Sequence, residues 1–264
     1  PEQYREVVSF IKNEPMSQGA LVTTHKLDRL KATRDMFEML DPYAGTLSEI
    51  SSISKRNGKL CGHAKDPITS GLALERIVPA GYWRDTGADL LLLGAGGSCL
   101  ALSMYLKEKK DRGGDVPVRI IVNNRSRPRL DDMKAIHRHI GMDIPVEYNL
   151  CPTPDMNDKI VATLKPGSMV VNGTGLGKDG PGSPLTDAVR FPENGRIWEF
   201  NYRGDLVFLD QAKAQEKSWN LHIVDGWDYF IYGWTRVIAE VFDIDIPIAG
   251  PGFDDISRLA AETR

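Results

Sequence analysis

The chain has 264 residues, of which 41% are hydrophobic and 26% charged, with a formal net charge of −3. That length suits two domains or one large α/β unit, and the charge balance offers no basic field for nucleic acid. No apolar run approaches the roughly 20 residues needed to cross a bilayer, no signal-peptide pattern opens the chain, and membrane partners are not expected.

From the N-terminus, Glu2 to Lys12 predicts a helix with Tyr4, Val7, Val8 and Ile11 on one face. In "GALVTTHKLDRL", Ala20–Thr24 predicts a short strand closed by Lys26, and Leu27–Leu40 predicts a second helix. "SEISSISKRNGKLCGHAKD" predicts a hairpin that turns at Asn57-Gly58. Pro67 suits the first turn of a helix running to about Val78, which places Asp66 at its N-cap. "VPAGYWRDTGAD", from Val78 to Asp89, predicts a linker.

Five apolar runs follow: Asp89–Leu93, Val118–Val122, Val146–Tyr148, Ser168–Val171 and Arg196–Phe200. Helix-like segments separate the first four. Continuous apolar strands alternating with helices predict a parallel sheet covered on both faces. Leu221–Val224 predicts a last strand before a helix from Gly226 to Phe242, whose aromatic stripe is expected to serve packing. The three cysteines, Cys61, Cys99 and Cys151, show no paired spacing, so reduced thiols in a cytoplasmic protein are expected. The five histidines show no metal-ligand spacing, and no metal is expected; His137 and His139 lie two apart in a predicted helix and face different directions.

"DLLLLGAGGSCLALSMYL" sets Gly94, Gly96 and Gly97 between a buried strand and a helix. Backbone without side chains there lets a pyrophosphate reach the free N–H groups of the helix N-terminus. The place of the third glycine in the generic fingerprint is taken by Cys99. After the second strand of this unit, "IIVNNRSRPRL" carries Arg125, Arg127 and Arg129, and no acidic residue before Asp131. Arginine there suits the 2′-phosphate of NADP, where a carboxylate would bind the ribose of NAD. A solvated basic turn is the plain alternative.

Six segments, "VTTHK", "CGHAKD", "GAGG", "NRS", "NGTGLGKDGPGSPL" and "DGWDYFIYGW", occur in the order of the motifs of the shikimate dehydrogenase family, which the chain resembles. The resemblance implies an α/β protein: a Rossmann-type NADP domain and a smaller α/β substrate domain, with a cleft. Residues 1–82, completed by 226–264, would form the substrate domain, and residues 83–225 the nucleotide domain. It implies Lys26 and Asp66 as an acid–base dyad, with Thr23 and Tyr202 near the substrate. It implies Gly94, Gly96, Gly97, Asn124, Arg125, Ser126, Arg129 and Gly226 at the nucleotide, and Asn172 and Thr174 near the nicotinamide. A strand-capping lysine and a helix N-cap are the plain alternatives for Lys26 and Asp66, and loop fastening is the alternative for Asn172, Thr174, Thr23 and Tyr202.

The departures from the family cluster on the substrate side. Ala64 and Lys65 stand where the family has Asn and Thr, "SEIS" lacks the family's asparagine, and Gly233 with Tyr232 beside it replaces a glutamine. Lys65 either binds an anionic group or faces solvent, and Tyr232 is a substrate-side candidate. The family's N-terminal serine pair would precede Pro1, and a segment ahead of Pro1 is expected. The expected function is hydride exchange between NADP(H) and a cyclic hydroxy or keto acid other than shikimate, by a monomer or homodimer. The alternatives are a non-catalytic NADP- or metabolite-binding sensor and a reductase of another class, for example one acting on a folate.

Overall fold

The computed structural model describes residues 2–23 and 26–263. The chain divides into two compact units, Pro1–Thr69 with Ile231–Arg264, and Ser70–Phe230.

The first unit is built on a four-stranded sheet. In chain order it holds α1 (Glu2–Asn13), β1 (Gly19–Leu21), α2 (Lys26–Thr33), β2 (Met39–Leu40), α3 (Pro42–Leu47), β3 (Ser52–Arg56) and β4 (Lys59–His63). The strand order is β1-β3-β4-β2; β3 is antiparallel to both neighbours and β2 is parallel to β4. The Asn57-Gly58 hairpin forms as read from the sequence, with both turn residues at positive φ. Two expectations change. β1 ends at Leu21, and Lys26 opens α2 instead of closing a strand; the expected strand end at Thr24 lies outside the described residues. The helix expected to reach Leu40 stops at Thr33, where the Thr33 hydroxyl bonds the Arg29 carbonyl at 2.7 Å. A single turn of 3₁₀ helix follows, and then β2 pairs with Cys61–Gly62. Pairing with β4 satisfies this backbone in place of helical bonds, so tertiary context overrides local propensity.

The second unit is a parallel α/β layer structure. α4 (Asp66–Ile77) starts in the first unit and is followed by α5 (Tyr82–Thr86), β5 (Leu90–Leu93), α6 (Gly97–Asp111), β6 (Ile120–Asn124), α7 (Arg127–His139), β7 (Val146–Leu150) and α8 (Pro154–Val161). Then come β8 (Met169–Asn172), β9 (Arg196–Glu199), α9 (Val207–Lys213), α10 (Glu216–Trp219) and β10 (His222–Val224). All six strands are parallel in the order β10-β9-β8-β5-β6-β7. Leu90 to Leu93 on central β5 are buried, and Leu91, Val170, Ile197 and Phe208 belong to one core. The expected linker is a packed helical turn: Trp83 is buried, and the Trp83 and Arg84 N–H groups donate to the Asp115 carboxylate at 2.9 and 2.8 Å.

The last long helices are α11 (Trp227–Phe242) and α12 (Gly250–Ala261). The aromatic residues that open α11 pack as expected from their stripe. Trp227 and Phe230 lie on Tyr202, and Tyr229 on Trp198 and Phe200.

One buried polar cluster makes the second unit sensitive to acid. His137 is buried, with Nε2 2.7 Å from the Ser103 hydroxyl and Nδ1 2.6 Å from the Tyr148 hydroxyl, while His139 is exposed. Burial pushes the His137 pKa down to about 4 from 6.5. A depressed folded-state pKa gives stability that is complete above the unfolded value and is lost as pH falls through the folded one. Thermal unfolding followed from pH 6.5 towards pH 4 is therefore expected to show a loss of up to about 3 kcal/mol from this group. His137→Gln is expected to flatten that part of the profile.

Candidate active site

The end of the four-stranded sheet gathers the charged groups of the first unit. β1, β2 and β4 run towards this end and β3 starts from it, with Leu21, Ser52 and His63 in register. Past the ends of β1 and β4 lie Lys26 and Asp66, and just ahead of β3 lies Glu49. The Ser51 backbone ties these segments together: its carbonyl accepts from Val22 N–H at 2.8 Å, and its N–H donates to the His63 carbonyl at 2.8 Å. The Ser51 hydroxyl also accepts from Lys65 N–H at 2.7 Å.

Lys26 Nζ donates to the Asp66 carboxylate across a sequence separation of 40 residues, and both side chains are mostly buried. Burial works to lower the Lys26 pKa, but Asp66 and Glu49 outweigh it and raise the group above its ordinary value. Lys26 is therefore an ammonium throughout the neutral range, a proton donor held by a carboxylate. Asp66 occupies the first residue of α4, so the helix begins at it and not after it.

Glu49 escaped the sequence analysis. It is 4% exposed, and its carboxyl is pushed up to about 7 by burial and by Asp66, against the pull of Lys26. The available signal was a carboxylate directly before the apolar alternation of Ile50 and Ile53. Asp41 and Glu240 were also missed: Asp41 accepts from the Ala64 N–H at 3.3 Å, and Glu240 claims Lys65, a residue read as a candidate. Lys65 neither faces solvent nor stays free: its Nζ lies 2.6 Å from Glu240, which also receives Arg56 and lies 3.4 Å from His63. Burial alone would raise the Glu240 pKa, but the Lys65 hydrogen bond and the His63, Lys65 and Arg56 charges bring it below its usual value. Tyr232 is 1% exposed, stacks on Phe253 and donates its hydroxyl to the Ile248 carbonyl at 2.9 Å. Packing, not an open site, accounts for that tyrosine. Thr23 is exposed.

In the second unit the glycine turn follows β5. Gly94 has φ +117°, and a Cβ there would stand 2.9 Å from the Gly173 carbonyl, so the turn requires glycine. A Cβ on Gly96 would meet nothing within 4 Å, which leaves open space above the first turn of α6. Gly96 caps α6 with no side-chain hydrogen bond, so the N–H groups of that turn remain available. Cys99 is fully buried, and a Cβ on Gly173 would lie 2.3 Å from its Sγ. The close approach that a third glycine would allow is reached here by placing the glycine on the neighbouring segment. Burial pushes the Cys99 thiol up to about 12, so it is a packing group and not a nucleophile.

At the end of β6, Asn124 leads into Arg125, half-buried Ser126 and α7. Arg125, Arg127 and Arg129 are exposed and make no side-chain hydrogen bond or ion pair among the described residues. These features fit a phosphorylated nucleotide: an open glycine cradle at a helix N-terminus and guanidinium groups without an internal partner.

Asn172, Thr174, Tyr202 and Gly226 have structural partners. The buried Asn172 accepts from the Thr174 N–H at 3.1 Å and from its hydroxyl at 2.7 Å, and donates to Glu199. Glu199 in turn accepts from the Asn201 backbone at 2.8 Å and its side chain at 2.6 Å. This ladder fastens the loop after β8. Tyr202 stacks on Phe230 at 4.0 Å. A Cβ on Gly226 would lie 2.1 Å from the Phe200 carbonyl oxygen, so close backbone approach explains that glycine.

No family model matches the chain. Among curated proteins it is similar to the shikimate dehydrogenase (NADP(+)) of Streptococcus pneumoniae, 26% identical over 217 residues that cover 78% of this chain and 68% of that protein. Against the same enzyme from another strain, the chain is 25% identical over 188 residues and spans 61% of its length. Among solved structures it resembles quinate dehydrogenase from Corynebacterium glutamicum in complex with NAD, with TM-score 0.72, 15% identity, and 98% of this chain and 82% of that one covered. It also resembles shikimate 5-dehydrogenase from Thermus thermophilus in complex with NADP(H) and shikimate, with TM-score 0.65, 20% identity, and 98% and 83% covered. In motif order and in sequence the chain is similar to the shikimate dehydrogenases, and it shares their fold.

Proposed function

We propose that the chain is an NADP-dependent oxidoreductase that exchanges a hydride with a cyclic hydroxy or keto acid, with Lys26 and Asp66 as its acid–base pair. The observation that carries this reading is the Lys26–Asp66 ion pair at the end of the sheet, formed by residues far apart in sequence. Reduction of a ketone places negative charge on its oxygen, and a positioned donor there contributes about 10²–10⁴ in rate. Lys26 supplies that donor; Asp66 orients its Nζ and stabilises the ammonium. In the reverse direction the pair receives the proton of the hydroxyl. Bound NADP(H) supplies or accepts the hydride. Gly94, Gly96 and Gly97 would cradle its pyrophosphate, and Arg125 and Arg129, with Ser126 and Asn124, would hold the adenosine phosphate. The Streptococcus relative is an NADP(+) enzyme, and the Thermus structure holds NADP(H) with shikimate, which supports this choice of cofactor.

In this reading residues 1–82 with 226–264 carry the substrate side and 83–225 the nucleotide side. A substrate other than shikimate is favoured by the residues themselves. The Ala64 side chain has no hydrogen-bonding group, and Lys65 and Tyr232 are engaged within the fold.

Lys26→Ala is expected to lower turnover by about 10²–10⁴ while NADPH affinity is unchanged. Nicotinamide absorbance across shikimate, quinate and simpler cyclic hydroxy acids, with NADPH titrated separately, reads both quantities; full activity in the variant removes the pair from the mechanism. Arg125→Ala combined with Arg129→Ala is expected to raise KM for NADP+ by about tenfold or more, since hydrogen bonds to charged groups contribute about 1.5–3 kcal/mol each. KM for NAD+ should stay as it is. Equal effects on both nucleotides would count against a 2′-phosphate clamp.

A further inference from the structure

Two lysines of the first unit come to the start of α4. Lys26 forms the ion pair with Asp66, and Lys65 stands directly before Asp66 in the chain. Both side chains are mostly buried, at 22% and 13% exposed. Burying an ammonium is costly unless a carboxylate receives it, so Lys65 needs an acid within its reach. Asp41 feels the Lys65 charge but is already engaged. Its Oδ1 accepts from the Ala44 N–H at 2.7 Å and the Ala64 N–H at 3.3 Å, and its Oδ2 lies 3.7 Å from His63 Nδ1. That leaves Asp66, the next residue, as the acid a released Lys65 would turn to.

Glu240, near the end of α11, prevents this. Its Oε2 receives the Lys65 Nζ at 2.6 Å. The other contacts of Glu240 do not require a carboxylate. Arg56 ties α11 to the hairpin through the Glu240 backbone carbonyl and, at 3.3 Å, the Val241 carbonyl, and any residue at 240 would offer the first of these. The Arg56 guanidinium reaches Glu240 Oε1 at 3.4 Å, and His63 Nε2, also at 3.4 Å, has the Ser54 hydroxyl at 2.9 Å. What the glutamate alone supplies is a charged acceptor for Lys65.

We infer that Glu240 is a positioning residue: by holding the Lys65 ammonium it leaves Asp66 to Lys26. The inference rests on reading Lys26 and Asp66 as the acid–base pair. With Lys65 also on Asp66, the two ammonium groups repel each other and share the carboxylate that orients the Lys26 Nζ. The proton donor is then no longer held in one direction.

The test uses the full chain, with turnover read by NADP+ reduction on shikimate, quinate and simpler cyclic hydroxy acids, below the unfolding midpoint of each variant. Glu240→Ala is expected to lower turnover by about tenfold or more, the effect of one hydrogen bond between charged groups, and to leave NADPH affinity unchanged. Glu240→Gln keeps an uncharged acceptor and should fall between. The deciding variant combines Glu240→Ala with Lys65→Met. Removing the released ammonium is expected to restore turnover, whereas a carboxylate that merely braces α11 predicts a double variant no faster than Glu240→Ala. A crystal structure of Glu240→Ala reads the same point without a substrate: Lys65 Nζ is expected on the Asp66 carboxylate. The assignment is overturned if Glu240→Ala keeps full turnover, if the double variant stays as slow as Glu240→Ala, or if Lys65 in that crystal structure turns to Asp41 or to solvent. Full turnover in Lys26→Ala overturns the acid–base reading instead, and leaves a move of Lys65 onto Asp66 standing as a separate result.

Discussion

The ion pair between Lys26 and Asp66 depends on a constraint of the backbone: three segments must leave the small sheet at one end. β3 runs against β1 and β4, so the chain departs from β1 and β4 at the edge where it enters β3. The register of Leu21, Ser52 and His63 then fixes how far each departing segment must travel. Hydrogen bonds from Val22 and Lys65 to Ser51 hold those segments before their charged residues appear. A mostly buried pair of this kind tolerates the loss of either partner poorly, because the remaining charge keeps its desolvation cost without its compensation. Glu49 adds a third charge-bearing group to the same small volume. Pushing its carboxyl towards neutrality is how the fold accommodates two acids beside one ammonium.

The chain uses much of its polar inventory to hold loops and helices. Asn172 links Thr174 to Glu199, and Glu199 links onward to Asn201, so the segment after β8 hangs from a buried ladder at the end of the parallel sheet. Glu240 collects Arg56, Lys65 and His63 in the first unit. Such networks stiffen a site when every member is satisfied. The pairing is not complete: among the described residues the Glu49 Oε1, the Ser52 hydroxyl and the Asp89 Oδ1 are buried without a hydrogen-bond partner.

The two units depart from the motifs of the resembled family to different degrees. In the second unit Cys99 fills the place of the fingerprint's third glycine, and Gly173 makes the room it needs. Volume is conserved across the contact, which is what close packing requires. In the first unit Ala64, Lys65 and Gly233 stand where the motifs of the resembled family carry other hydrogen-bonding residues, and Lys65 pairs with Glu240.

Local pattern alone was enough for the six parallel strands, the Asn57-Gly58 hairpin, the glycine turn and the packing role of the aromatic stripe. Each of these is written in periodicity or turn chemistry over a few neighbouring residues. Lys26 and Asp66 were legible through their motifs, although the sequence put Lys26 at the end of a strand and the structure puts it at the start of a helix. Where the sequence reading failed, the deciding partner was distant. The helix expected to run to Leu40 yields to pairing with Cys61 and Gly62, and the stretch around Trp83 is ordered by Asp115. Lys65 is claimed by Glu240 and Tyr232 by Ile248 and Phe253, contacts that no local spacing encodes. The isolation of the Glu49 oxygen was least visible of all. Whether a buried acceptor has a partner depends on every atom around it, and only the folded chain brings those atoms together.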